Sequence, residues 1–138
     1  MRRLTLLLRF EPQAVPGDTA EVTFTVKSGG GAITVLDGAD GDVPATASYE
    51  THVRMTGETS FVETGTYTLD GGGLTISTVG EGVMEPSPED GALQGLVTWR
   101  VQGTGSYASA AGTVASSFVF EPERGVAVEH QVVRLFLS

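Results

Sequence analysis

A lone carboxylate among aromatic rings is the feature of this sequence with the most chemistry in it. Over residues 58–70 the chain alternates apolar and polar side chains, and successive side chains of a strand point to opposite faces. Phe61, Glu63, Gly65, Tyr67 and Leu69 therefore share one face, opposite Ser60, Val62, Thr64, Thr66 and Thr68. If the aromatic face is the inner one, Glu63 leaves water beside Phe61 and Tyr67. Desolvation disfavours the charged form, raising the pKa into a range useful for general acid or base catalysis. Glu63 and Tyr67 are accordingly the candidate catalytic residues. A plainer alternative stands beside this one: Glu63 hydrogen-bonded for strand register, or meeting water at a rim, since structural networks also bury carboxylates.

Candidate binding residues come from the neighbouring patterns. Over 92–103, Leu93, Val97, Trp99 and Val101 share a face opposite Leu96, Thr98, Arg100 and Gln102, so the one tryptophan sits on the apolar side. Phe118 and Phe120 follow Val114 and Ser116 at the same parity. Phe61, Trp99, Phe118 and Phe120 together suit the wall of an apolar pocket, with Met84 at its mouth, although a Trp in a barrel also serves simply as core filling. Glu50, His52 and Arg54 alternate along 45–56 opposite Tyr49, Thr51 and Val53. Cross-strand charge pairing on an outer face explains that row more simply than proton transfer in a polar lumen. His130 and Arg134 alternate with Val132 and Phe136, but Gln131, Val133, Leu135 and Leu137 make the other face at least as apolar, leaving the facing open.

The elements that must position these residues are strands throughout. Period-2 alternation recurs over roughly 3–10, 20–28, 31–36, 45–56, 58–70, 73–84, 92–103, 112–121 and 125–137, with no sustained helical period. Turn chemistry separates the runs, at residues 15–18, 29–31, 37–42, 70–73 and 123–125. At 138 residues, with 40% hydrophobic and 18% charged, the composition fits one folded all-β domain over 1–138. Eight or nine strands in a meander close most economically into a single antiparallel β-barrel, which removes exposed edges; a two-sheet sandwich is the rival. Residues 84–91, with two prolines and three acids, read as a longer connection, either a lid or a solvated hairpin loop.

Several classes of function are set aside. Eight Lys and Arg against 17 Asp and Glu give a net charge of −9, which repels nucleic acid. No apolar run reaches membrane-helix length, Arg9 interrupts the opening apolar stretch too early for a signal peptide, and cytoplasm is the default location. With no cysteine, two histidines in no ligand spacing, and Asp37, Asp40 and Asp42 off the EF-hand pattern, no metal is expected. Phosphate-binding loops, dinucleotide fingerprints and nucleophile elbows are missing too, so no cofactor is expected.

The segment Gly103-Thr104-Gly105-Ser106-Tyr107-Ala108-Ser109-Ala110-Ala111-Gly112 resembles the G-T-G-x-[YF]-x-x-A-x-G stretch of allene oxide cyclase-like and dirigent-like β-barrels. The similarity covers about residues 95–120. It implies an eight-stranded barrel around a hydrophobic cavity, frequently in dimers or trimers. Relatives steer ring closure: allene oxide cyclase acts on a fatty-acid-derived epoxide, dirigent proteins orient radical coupling, and bacterial spirotetronate cyclases promote an intramolecular Diels–Alder reaction. The catalytic residues of those proteins have no position-by-position counterparts here. Taken together, these expectations describe a cofactor-independent cyclase or isomerase that templates closure of a hydrophobic, polyketide-like small molecule, with a lipocalin-like carrier of an apolar ligand as the alternative.

Overall fold

Alternating side chains build a sheet with one dry face, and the chain's strands follow from it. A computed structural model describes residues 1–19 and 23–138, with backbone alone at 16–19 and at residue 24. The strands are β1 (Arg2–Phe10), β2 (Gln13–Thr19), β3 (Thr23–Ser28), β4 (Ala32–Asp37), β5 (Ala47–Met55), β6 (Ser60–Leu69), β7 (Gly72–Thr78), β8 (Gly82–Pro86), β9 (Leu93–Gly105), β10 (Ala111–Glu121) and β11 (Val126–Leu137). A short 3-10 turn occupies Asp40–Asp42. Among the described residues no helix is long and apolar enough to cross a membrane.

All pairings are antiparallel, in the order β2-β3-β5-β6-β7-β9-β10-β11-β1-β4, with β8 joining β6 to β9 beside β7. The two ends of this path belong to one hairpin, because β1 pairs with β4 while β2 pairs with β3. The sheet thus wraps round to meet itself, and the core is barrel-like. Its interior carries Leu4, Leu6, Leu8 and Phe10 from β1, Val97, Trp99 and Val101 from β9, and Val133, Leu135 and Leu137 from β11. Full burial of an aliphatic or Phe side chain stabilises by about 1.5–3 kcal/mol, so this inward row supplies the main cohesion.

The details depart from the alternation pattern in three places. Residues 15–18, expected as a turn, lie in β2, whose pairing with β3 shifts register between Ala14 and Thr19. Pro16 has no N–H to give, and an irregular stretch of ladder is where a strand tolerates that loss. The run expected at 20–28 is seen from Thr23; residues 20–22 lie outside the described residues. The run expected at 73–84 is broken into β7 and β8, with Gly80 between them at a φ of 69°. This break and the addition of β2 give eleven strands among the described residues where alternation predicts eight or nine.

The expected long connection at 84–91 is also shorter than its prolines suggest. Met84, Glu85 and Pro86 pair with Gly95, Gln94 and Leu93. β8 meets β6 only at Ser60 and Phe61, so Pro86 faces a side of the strand where no ladder bond is asked of it. The remaining turn is held by the Ser87 N–H donating to the Ala92 carbonyl at 2.9 Å and the Glu89 N–H donating to Ser87 Oγ at 3.2 Å.

The 103–112 segment is a structural turn. Gly105 ends β9 at a φ of 59°, which favours glycine. A Cβ on Gly103 would lie 1.6 Å from the Tyr107 carbonyl oxygen, while the Gly103 N–H donates to the Ala110 carbonyl at 2.8 Å. Tyr107 folds back on the core. Because the obstacle is backbone, Gly103→Ala is expected to cost about 3 kcal/mol by overpacking, measured as a lower midpoint in urea unfolding. A midpoint within error of the native chain would contradict this account of the motif.

Candidate functional site

Polar side chains enter the barrel interior from several walls and meet partners from across it. On β6 the inward set is Phe61, Glu63 and Tyr67, as the alternation predicts. Glu63 sits where β6 passes from β7 to β8, and Thr78 patches the break: its Oγ1 accepts from the Glu63 N–H and donates to the Glu63 carbonyl, both at 2.7 Å. The Glu63 backbone is therefore fixed, and its side chain points into the core. From β9, Trp99 Nε1 donates to Glu63 Oε1 at 3.0 Å.

A second carboxyl stands in the same interior. Glu129 on β11 is 4% exposed; its Oε1 accepts from the Tyr49 hydroxyl and its Oε2 from the Ser116 hydroxyl. One turn of the alternation further, Gln131 Oε1 accepts from the Tyr67 hydroxyl. Among the described residues two buried polar atoms lack a hydrogen-bond partner, Thr51 Oγ1 and Gln131 Nε2. Aromatic rings fill the space between: Tyr49 lies against Phe10, Tyr67 and Trp99 at centroid distances of 4.9, 5.9 and 5.9 Å.

Glu63 and Glu129 face one cleft of about 130 Å³. Its wall includes Val53, Phe61, Met84, Phe118 and Phe120, and Gln13 and Ala14 of β2 are exposed where it opens. Typical small-molecule pockets span about 300–1,000 Å³, whereas an apolar cavity of about 150 Å³ takes benzene. The space thus suits one ring or a short chain. Of the expected site residues, Glu63, Phe61, Met84, Phe118 and Phe120 come together on this cleft. Tyr67 and Trp99 do not line it: Trp99 is fully buried and Tyr67 nearly so, and both lie in the core, Trp99 bonded to Glu63 and Tyr67 to Gln131. The core-filling alternative for Trp99 is the observed one.

Burial sets the electrostatics. Removal from water pushes the Glu63 carboxyl from 4.5 up to about 7; the neighbouring Thr51 hydroxyl and the Trp99 N–H work against this, and the Glu129 charge adds to it. Thr51 is near enough to influence that charge without completing a hydrogen bond in this geometry. Burial likewise raises Glu129, opposed by the Ser116 and Tyr49 hydroxyls and the neighbouring Gln131 amide. The Tyr49 and Tyr67 phenols are driven upward chiefly by burial, so both stay neutral donors.

Glu50, His52 and Arg54 are exposed on the outer face, where Glu50 lies opposite Lys27 in the strand register and His52 Nδ1 lies 3.0 Å from Thr25 Oγ1. His130 and Arg134 are exposed too, which settles the facing of β11. Glu129 escaped the reading of the sequence. Its parity with Gln131, Val133, Leu135 and Leu137 was the available signal, but Val126, Val128, Val132 and Phe136 of the opposite parity masked it.

A carboxyl that titrates higher folded than unfolded binds its proton more tightly in the folded state. Stability therefore falls as pH rises from about 4.5 to about 7 and levels off above, a loss of about 3 kcal/mol from Glu63. Glu63→Gln is expected to abolish that part of the decline and to unfold at higher urea than the native chain at pH 8, but not at pH 4.5. Parallel pH curves for the two chains would refute a desolvated Glu63. Tyr67→Phe, which leaves Gln131 Oε1 without its donor, is expected to cost about 1–3 kcal/mol at either pH.

No family model and no curated protein matches this chain. Among solved structures, the pterocarpan synthase dirigent protein GePTS1 is similar over 100% of this chain and 87% of its own, with 17% sequence identity and a TM-score of 0.48.

Proposed function

We propose that residues 1–138 form one domain, a cofactor-independent isomerase or cyclase that takes an apolar part of a small molecule into its cleft and moves a proton there. The observation that carries the reading is the pair Glu63 and Glu129 on one largely apolar cleft wall. Charging a carboxyl in such a place costs stability, and holding an apolar ligand requires no carboxyl. A site built only to carry would be expected to leave both out, which is why the enzyme reading is preferred to the carrier. Counting β1 with β2, β3 with β4 and β7 with β8 as single staves reduces the eleven strands by three to eight, in keeping with the barrel that the 103–112 motif implies.

In this reading Glu63, titrating at about 7, gives or takes the proton near neutral pH, where both of its forms are populated. Glu129, held by two hydroxyl donors, is the complementary base. Phe61, Phe118, Phe120 and Met84 orient the substrate and exclude water, and ordering a flexible precursor before ring closure lowers the entropic part of the barrier. The space of about 130 Å³ admits one ring-sized portion of a polyketide-like molecule, leaving the remainder along the mouth.

The test is incubation with linear, ring-closable apolar precursors, following mass-neutral rearrangement against buffer. Glu63→Gln is expected to slow it by about 10²-fold or more, and Tyr67→Phe, off the cleft, by only a few-fold. Full turnover in Glu63→Gln would leave templating alone, and binding without rearrangement would leave a carrier.

A further inference from the structure

The distribution of charge separates inside from outside with unusual completeness. All eight Lys and Arg and both His are exposed. Their ion pairs are likewise external: Arg2 with Asp42, Arg3 with Asp37, Arg9 with Glu11, and Arg124 with Glu121. The interior holds Glu63 and Glu129, 7% and 4% exposed, and no positive side chain lines the cleft they face. Carboxylates removed from water are ordinarily matched by a cation or held neutral. Here the hydroxyls of Tyr49 and Ser116 favour the ionised form of Glu129, yet they supply no charge.

We propose that the cleft recognises an ammonium group borne on a ring-sized apolar body, a small arylalkyl or cycloalkyl amine, with Glu63 and Glu129 as its counter-charges. The inference rests on the reading of this cleft as the ligand site and adds the ligand's head-group chemistry. Three further observations support it. The aromatic rings of Tyr49, Phe61 and Phe118 line the cleft, and a ring's π face attracts a desolvated cation. The volume of about 130 Å³ limits the apolar body to about one ring. The net charge of −9 draws cations toward the mouth.

The proton balance of binding is simple. The amine enters protonated and stays so, and a proton held on Glu63 leaves to solvent, so uptake is accompanied by proton release below about pH 7. Trp99, the one tryptophan, is hydrogen-bonded to Glu63 and reports events there by its fluorescence.

Titration of the full chain with benzylamine and with benzyl alcohol, an uncharged analogue of the same shape, tests the proposal. At pH 8 benzylamine is expected to bind about tenfold or more tightly than the alcohol. The preference is expected to shrink at pH 5, and in Glu63→Gln at pH 8, while the alcohol's affinity stays within a few-fold. Equal affinities for amine and alcohol would overturn the head-group assignment and leave the cleft a binding site for neutral molecules. Binding of neither would overturn both it and the reading of the cleft. A preference for amine unchanged in Glu63→Gln and at pH 5 would place the amine on the acidic outer surface and overturn the proposal. The pH series on the native chain stands even if the variant fails to fold.

Discussion

A carboxyl group inside a barrel must be met by donors from the opposite wall, because leaving it unpaired in a dry interior costs several kcal/mol. That requirement organises this protein. Glu63 on β6 is met by Trp99 of β9, Glu129 on β11 by Tyr49 of β5 and Ser116 of β10, and Gln131 by Tyr67 of β6. Long aromatic side chains span the interior and end in a polar group, so a single residue both fills volume and supplies a donor. The same contacts fix which strand faces which, and through the alternation they fix every neighbour's facing.

The cleft follows from where that filling stops. Trp99, Tyr67 and Phe10 are the largest fully buried side chains among the described residues, and Tyr49 packs its ring against Phe10 and Trp99. Toward the β8 and β10 side the side chains are Phe118, Phe120 and Met84, each only half-buried. Gly95 is part of the reason: a Cβ there would fall 2.0 Å from the Phe118 ring, so the missing side chain is what lets that ring lie against β9. The site is a margin of the core rather than a separate structure, and its polar floor belongs to the same network that holds the walls together.

How much of this is legible in the sequence depends on the residue. The facing of Glu63 follows from Phe61 and Tyr67 at the same parity, and the outward row Glu50, His52 and Arg54 from its apolar complement. β11 is apolar on both parities, which masks the local signal at Glu129; its partners across the barrel mark it as internal, and those lie on β5 and β10. Similarly, Tyr67 reads as a catalytic candidate and Trp99 as pocket wall because parity distinguishes inside from outside but not core from cleft. Pro16 and Pro86 read as turn makers, while the structure uses each where a ladder bond is not required.

The pairing of β1 with β11 has a bearing on how the chain reaches this state. Arg2 lies opposite Leu137 and Phe10 opposite Glu129, so two strands nearly the whole sequence apart are zipped along their length. Loop-closure entropy must be overcome before such distant contacts contribute, which places the chain among slow folders, in the range of about milliseconds to seconds. During synthesis β1 has only β4 to pair with until β11 emerges from the ribosome. Its inner row of Leu4, Leu6, Leu8 and Phe10 remains incompletely covered for that interval, and the last strand completes the interior and its second carboxyl in one step.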